Sequence, residues 1–278
     1  MKIKIGSIVK LVMIVSLLTL LTQLGGVVYL LHRLLVARLS SVWAWQKKWW
    51  GRGLQFCGLY LLACFALTPP LARHFGRVPL PFYATSQAPM QPASLLSCLS
   101  NRHYVRPLLR NTAIAVAQQM RQQNADFILI YLDANFPFWD GFPLWPHRSH
   151  DDGKKLDIAF VYQNELGTLA HGTPSMLGYG VVEPPLKGES DQPALCEKKG
   201  HWQYSLLQRM TLGIWRKSYR FDLRRTQQLI RLLAHQKSVG KIFIEPHLRQ
   251  RMRLNKLKKV RFHGCAAVRH DDHIHLQL

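Results

Sequence analysis

Apolar positions come in two patterns along this chain, as long unbroken runs before residue 75 and as short alternating stretches after residue 100. Leu11 to Leu31 is a run of 21 residues without a formal charge. A helix rising about 1.5 Å per residue would carry that run across a hydrocarbon core of about 30 Å. A second run, Gly53 to Ala72, ends near Pro69 and Pro70, where a helix is expected to stop at an interface. Residues 1–77 therefore read as a membrane anchor of one or two transmembrane helices, about 11–31 and 53–72. A cleaved signal peptide is the other reading of the first run, but the run is long and no small-residue cleavage site clearly follows it. Residues 78–100, rich in Pro, Ser, Gln and Ala, read as a linker.

The alternating stretches predict mixed elements. Residues 106–122 have helical spacing, and 126–132 and 156–162 read as strands. A helix is expected over 226–237, a strand over 241–245, a proline-started helix from His247, and strands over 259–263 and 273–278. That irregular order favours an α+β domain over 101–278: a small, mostly antiparallel sheet with flanking helices, preceded by the N-terminal transmembrane helices.

Charge reinforces the division. The chain carries 37 Lys and Arg against 15 Asp and Glu, a formal +22, yet its first carboxylate is Asp126. The excess is +14 before that residue and +8 from it onward. A basic, Trp-rich stretch separates the two runs (Arg33, Arg38, Lys47, Lys48 and Arg52, with Trp43, Trp45, Trp49 and Trp50), as expected at headgroup level. Those five charges are matched by Lys2, Lys4, Lys10, Arg73 and Arg77, so a count alone leaves the orientation open. The five cysteines form no Cys-x-x-Cys pair. Cys196 and Cys265 could bond outside the cytoplasm or stay as unpaired buried thiols.

Chemistry concentrates in two clusters. One runs from His147 through His150 to Asp157, and the other is Arg269-His270-Asp271-Asp272-His273-Ile274-His275 at the C-terminus. On a strand, residues i and i+2 share a face, so His273 and His275 would present two imidazoles together while Ile274 and Leu276 face away. Asp157 opens a predicted strand, and His150 lies seven residues earlier across a loop containing Gly153. Two imidazoles and one carboxylate suit Zn²⁺, and three protein ligands leave a fourth position for water, as in catalytic zinc sites. The bland alternative is a hydrogen-bonded polar network.

His150 with Asp157, followed downstream by His273-x-His275, resembles the paired motifs of the LAS metallopeptidase superfamily (lysostaphin, D-alanyl-D-alanine carboxypeptidases, sonic hedgehog). Within it the likeness is greatest to penicillin-insensitive murein endopeptidases. It extends to His147 three before His150, His270 three before His273, and Lys241-Ile242-Phe243-Ile244-Glu245-Pro246 some 25 residues before the terminal motif, and it spans roughly residues 126–278. The resemblance implies zinc ligands at His150, Asp157 and His275, further active-site histidines at His273, His270 and His147, and a peptide substrate from peptidoglycan. Asp271 or Asp272 would then support a ring nitrogen from behind. Because such a substrate lies outside the cytoplasmic membrane, the anchor is then expected in the bacterial inner membrane, with the catalytic domain facing the periplasm. The anchor and the Asp-rich loop after His150 depart from the family pattern.

Three other readings are weighed beside it. The same fold could hold zinc without turnover, as a cell-wall-binding or signalling module. The dense basic run Arg249, Arg251, Arg253, Lys256, Lys258, Lys259 and Arg261 could bind nucleic acid or anionic lipid, but it lacks interleaved aromatics and such a run is usually a solvated face. Phe136, Phe138, Trp139, Phe142 and Trp145 read as core rather than as a substrate groove. No His-Glu-x-x-His helix, Gly-x-Ser-x-Gly elbow or phosphate-binding glycine loop occurs.

Overall fold

A computed structural model describes residues 5–39, 48–205 and 217–278. The predicted first span is broken. Helix α1 (Ile5–Thr22) ends at Gln23, whose backbone is left-handed (φ 66°), and α2 (Gly25–Leu39) turns back alongside it. Glycine is required at this reversal: a Cβ on Gly26 would lie 2.1 Å from Thr19 Oγ1 and 2.7 Å from the Val15 carbonyl. The second span is one helical run, α3 (Trp49–His74), which continues through Pro69 and Pro70. A π-helical turn at Ala63–Leu67 precedes the prolines, and Thr68 Oγ1 donates to the Ala63 carbonyl at 2.8 Å. The widened turn and the hydroxyl answer carbonyls that proline cannot serve, so the helix bends its ladder instead of ending. Among the described residues two helices, α1 and α3, are long and apolar enough to cross a membrane.

The expected linker is part of the fold. After α3, β1 (Val78–Pro79) pairs with β3 (Tyr104–Val105), and β2 (Met90–Pro92) joins the main sheet at its edge. Helix α4 (Leu95–Leu99) follows, capped by the Ser94 hydroxyl. Leu80, Met90 and Cys98 are fully buried, which is why this Pro-rich stretch is ordered: apolar residues at wide spacing pack into the core although no local period announces them.

The remaining elements are α5 (Pro107–Gln123), β4 (Leu129–Tyr131), β5 (Lys155–Ala159), β6 (Tyr162–Gln163), α6 (Gln192–Lys198), β7 (Arg220–Phe221), α7 (Leu223–His235), β8 (Lys241–Phe243), α8 (Pro246–Arg251), β9 (Val260–Arg261) and β10 (His273–Gln277). Helices and strands agree with the predicted order, though most strands are shorter. The main sheet has the order β2-β4-β5-β10-β8-β9. It is mixed rather than mostly antiparallel: the central pairings are antiparallel, and both outermost ones, β2 with β4 and β8 with β9, are parallel. Helices α5 and α7 cover one face, where Leu109, Val116, Leu229 and Leu233 meet Leu156, Ile158, Ile274 and Leu276 in one core. The other face of β5 and β10 carries the histidines.

Candidate metal centre

Antiparallel pairing of β5 with β10 sets His275 directly opposite Asp157 and His273 opposite Ala159. Cross-strand neighbours of this kind meet side by side, while Ile274 and Leu276 point into the core. His150 arrives from the loop between β4 and β5. That loop returns to the sheet through Gly153 (φ 78°), whose N–H donates to Asn135 Oδ1 at 3.0 Å. A Cβ there would press on the Arg77 and Arg106 side chains at 3.2 Å, so the loop can close this tightly only with glycine.

All three donors converge. His150 Nε2 lies 3.2 Å from Asp157 Oδ1 and 3.1 Å from His275 Nδ1, and His275 Nδ1 lies 2.9 Å from Asp157 Oδ1. Tetrahedral zinc at its usual bond lengths of about 2.0–2.1 Å spaces neighbouring ligand atoms about 3.3 Å apart, so the donor set fits. His150 Nδ1–H donates to the Ala134 carbonyl at 2.6 Å, which fixes the ring and leaves the Nε2 lone pair pointing at Asp157. His147 also belongs to the group: donor atoms of His147, His150 and Asp157 all lie within 4.8 Å of one another. This buried His-His-Asp cluster could hold a metal ion.

Other residues flank that point. His273 Nδ1 is 2.5 Å from Asp272 Oδ1, while its Nε2 is buried without a hydrogen-bond partner, 3.6 Å from Asp157 Oδ1. His147 Nδ1 sits 3.2 Å from both Asp133 and Asp157, and the His147 ring nitrogens are likewise buried without a hydrogen bond. His270 packs its ring 5.0 Å from that of His273. The two aspartates named as supports separate: Asp272 meets His273, whereas the Asp271 carboxylate receives Arg269.

Electrostatics follow from burial and these contacts. Burial opposes the charge on Asp157, but His150, His273 and His147 around it hold its carboxyl well below the usual carboxylate range. Burial also opposes a proton on His273, yet Asp157 and Asp272 push it up to about 9. Burial dominates at His275, pushed down to about 3, and at His270, which it holds well below the ordinary histidine value. Glu245, buried behind the site, is pushed up to about 7 while its Oε1 accepts from Tyr204 Oη at 2.5 Å and from the His270 N–H at 3.1 Å.

Four contributors escaped sequence reasoning. Tyr179 Oη donates to Asp157 Oδ2 at 2.8 Å and accepts from the Asp133 N–H at 3.1 Å. It stands in a loop between Gly178 and Gly180, both at positive φ. A Cβ on Gly178 would lie 2.1 Å from Leu132 Cδ2, so the flanking glycines were the available signal. Glu245 lay in the Lys241–Pro246 stretch that carries part of the resemblance, though without an assigned role. Asp133 and His263 had no signal, since each stands far in sequence from the partner that gives it meaning. His263 stacks 5.8 Å from the His275 ring.

A cavity of about 630 Å³ opens beside the cluster, with Trp145, Arg148, Trp202 and His263 in its wall and His147, His270 and His275 at its base. The aromatic stretch expected to be core is therefore split. Phe136 is buried, while Trp139 and Trp145 are exposed and Trp145 lines the cavity. Cys196 and Cys265 form a disulfide next to the Ala266–Val268 wall. No protein-family model matches this chain, and none of the curated proteins compared with it matches either.

Proposed function

We propose that the chain is a membrane-anchored, zinc-dependent peptidase that hydrolyses amide bonds in peptidoglycan peptides. One observation carries this reading: His150 and Asp157, with His275 more than a hundred residues further on, bring three ligand atoms within 3.2 Å of one another beside a large cavity. These three residues would hold the cation, which when bound supplies Lewis acidity, activating water near neutral pH and polarising an amide carbonyl.

The protein's own groups do the rest. Asp272 fixes the His273 ring so that Nε2 faces the same point as the ligand atoms. His273, which Asp157 and Asp272 keep protonated near neutral pH, donates from Nε2 to the oxyanion that develops on the carbonyl. It passes its proton to the leaving amine and regains it from the next water, work of a positioned acid worth about 10²–10⁴-fold. His147 and His270 line the cavity and orient the amide from either side. Tyr179 and the His150 contact with Ala134 keep the ligands from turning away.

Supports for the compartment are physical. The reversal at Gln23 sends Lys10, Arg33, Arg38, Lys48 and Arg52 toward the helix ends away from the domain and leaves Arg73 and Arg77 beside it. An excess of Lys and Arg marks the cytoplasmic side, which supports a domain outside it. The Cys196–Cys265 disulfide agrees with an oxidising compartment. The substrate class rests on the family resemblance and on attraction of an anionic wall to a basic domain.

Digestion of purified muropeptides by the full chain in detergent, with and without chelator, tests the reading. Cleavage abolished by chelator and restored by zinc is expected. Undiminished cleavage in chelator, or bound zinc with no turnover of any wall peptide, would sink it.

A further inference from the structure

Sequence composition offers a flexible tether between anchor and domain, and the structure has none. Arg77, three residues beyond α3, is buried and donates to the Phe136 and Asp151 carbonyls and to Asp140. Three further contacts bind the helices to the domain. Asn101 Nδ2 donates to the Thr22 carbonyl at 3.2 Å, Tyr60 Oη to the Leu99 carbonyl at 2.7 Å, and the Phe138 N–H to Gln23 Oε1 at 2.9 Å. A free 23-residue linker would let the site wander about 25 Å on average and reach beyond 70 Å when extended. Here Asp151, the neighbour of His150, is one arginine side chain from the helix exit, a distance on the order of 10 Å.

Depth follows from helix rise. Asn101 touches both Thr22 and Cys64, so these two residues stand at one level. Lys10 and Arg52 each lie twelve residues below that level, about 18 Å along their helices. A hydrocarbon core of about 30 Å bounded below by these charges extends roughly 12 Å above the docking level. Exposed apolar side chains flank that level, Leu67 and Leu71 on α3 and Leu95, Leu96 and Trp139 on the domain, with the partly exposed Arg102 next to Asn101 among them. From this flank a second cavity, of about 170 Å³ and mostly apolar though Arg102 and Ser100 share its wall, is lined by Leu96, Leu177, Asp133 and His147.

We infer that the site works at the bilayer surface on a lipid-carried peptide, admitted past Leu96 and Leu177 from the membrane side. This rests on the peptidase reading for its chemistry and adds the carrier. A confined substrate meets a confined site at raised effective concentration, and an apolar approach suits a lipid-linked chain better than a free, hydrated one.

The full chain in phosphatidylethanolamine and phosphatidylglycerol nanodiscs is the test system. Two substrates bear the same stem peptide, one on a sugar linked to a polyprenyl diphosphate in the same disc and one on a soluble disaccharide. The expected outcome is a kcat/KM at least about tenfold higher for the lipid-carried peptide. Equal values, or preference for the soluble one, overturn the inference while leaving the peptidase intact. A second measurement needs no activity. In a Cys57→Ser background, bimane on Leu95→Cys is expected to be quenched by acyl-chain nitroxide lipids, and bimane on Leu166→Cys, past the far end of β5, is not. Absence of quenching at Leu95 overturns the inference whatever the turnover. Quenching without cleavage of either substrate removes the peptidase reading and keeps the site at the membrane.

Discussion

Two buried polar clusters stand on either side of the loop from Asn135 to Gly153, and they are built oppositely. Around Arg77 most donors are spoken for, though its own Nε is buried without a hydrogen bond. Its guanidinium serves the Phe136 and Asp151 carbonyls and Asp140, and Arg106 serves Asp140, Phe75 and Asp152. Around Asp157 ring nitrogens outnumber their partners. Four histidines crowd one carboxylate, and ring nitrogens of His147 and His273 are buried without a hydrogen bond. Unmet buried polar atoms are costly and persist where a ligand or a reaction uses them. The first cluster is a joint, and the second is a site.

The sharpest way to break that comparison is to remove ligands. Asp157→Ala and His275→Ala are each expected to weaken zinc more than about a hundredfold, beyond the loss typical of supporting residues. His147→Ala should keep stoichiometric metal. Competition against a chromophoric chelator measures all three, and the opposite ranking of His147 and His275 would move the ligand set. His273→Ala should retain zinc and slow muropeptide cleavage by about 10²–10⁴-fold; an unchanged rate removes its role as proton donor. At the joint, Arg77→Ala is expected to cost about 2–3 kcal/mol by stranding buried carbonyls. Zinc stoichiometry at saturating metal should survive, and chemical denaturation followed by metal analysis separates the two effects.

The smallest effect is a pH dependence. Burial lifts the Glu245 carboxyl to about 7 in the folded chain, against about 4.3 when unfolded. The folded state therefore binds the extra proton between those values, so this group's stabilising contribution is full below about pH 4 and is lost as pH rises toward 7. Glu245→Gln should flatten that part of the metal-free melting profile relative to the parent. A parallel profile would mean that Glu245 is solvated and does not belong to the packed layer behind His270.

Much of the site was legible because its logic is local. His273 and His275 share a face through the two-residue period of a strand, and Ile274 and Leu276 on the opposite face reveal that period in the sequence. Helices α5 and α7 were visible for the same reason, with apolar residues recurring at helical spacing. The bounds of the first membrane span, though not its existence, were misjudged because hydropathy has no sign for direction: Gln23, Gly25 and Gly26 pass as neutral residues in an apolar run, yet they reverse the chain. The linker was misjudged because Leu80, Met90 and Cys98 are buried by distant partners, without any period of their own.

By itself the sequence determined that an apolar, basic N-terminal region precedes an α+β domain carrying two His/Asp clusters, since composition and period are properties of neighbours along the chain. Only tertiary structure decided that Asp157 lies across from His275, that Tyr179 and Asp133 close the cluster, and that the domain is clamped to its helices. Register, loop closure and docking depend on contacts between residues tens to more than a hundred positions apart, and no local pattern encodes which of those contacts forms.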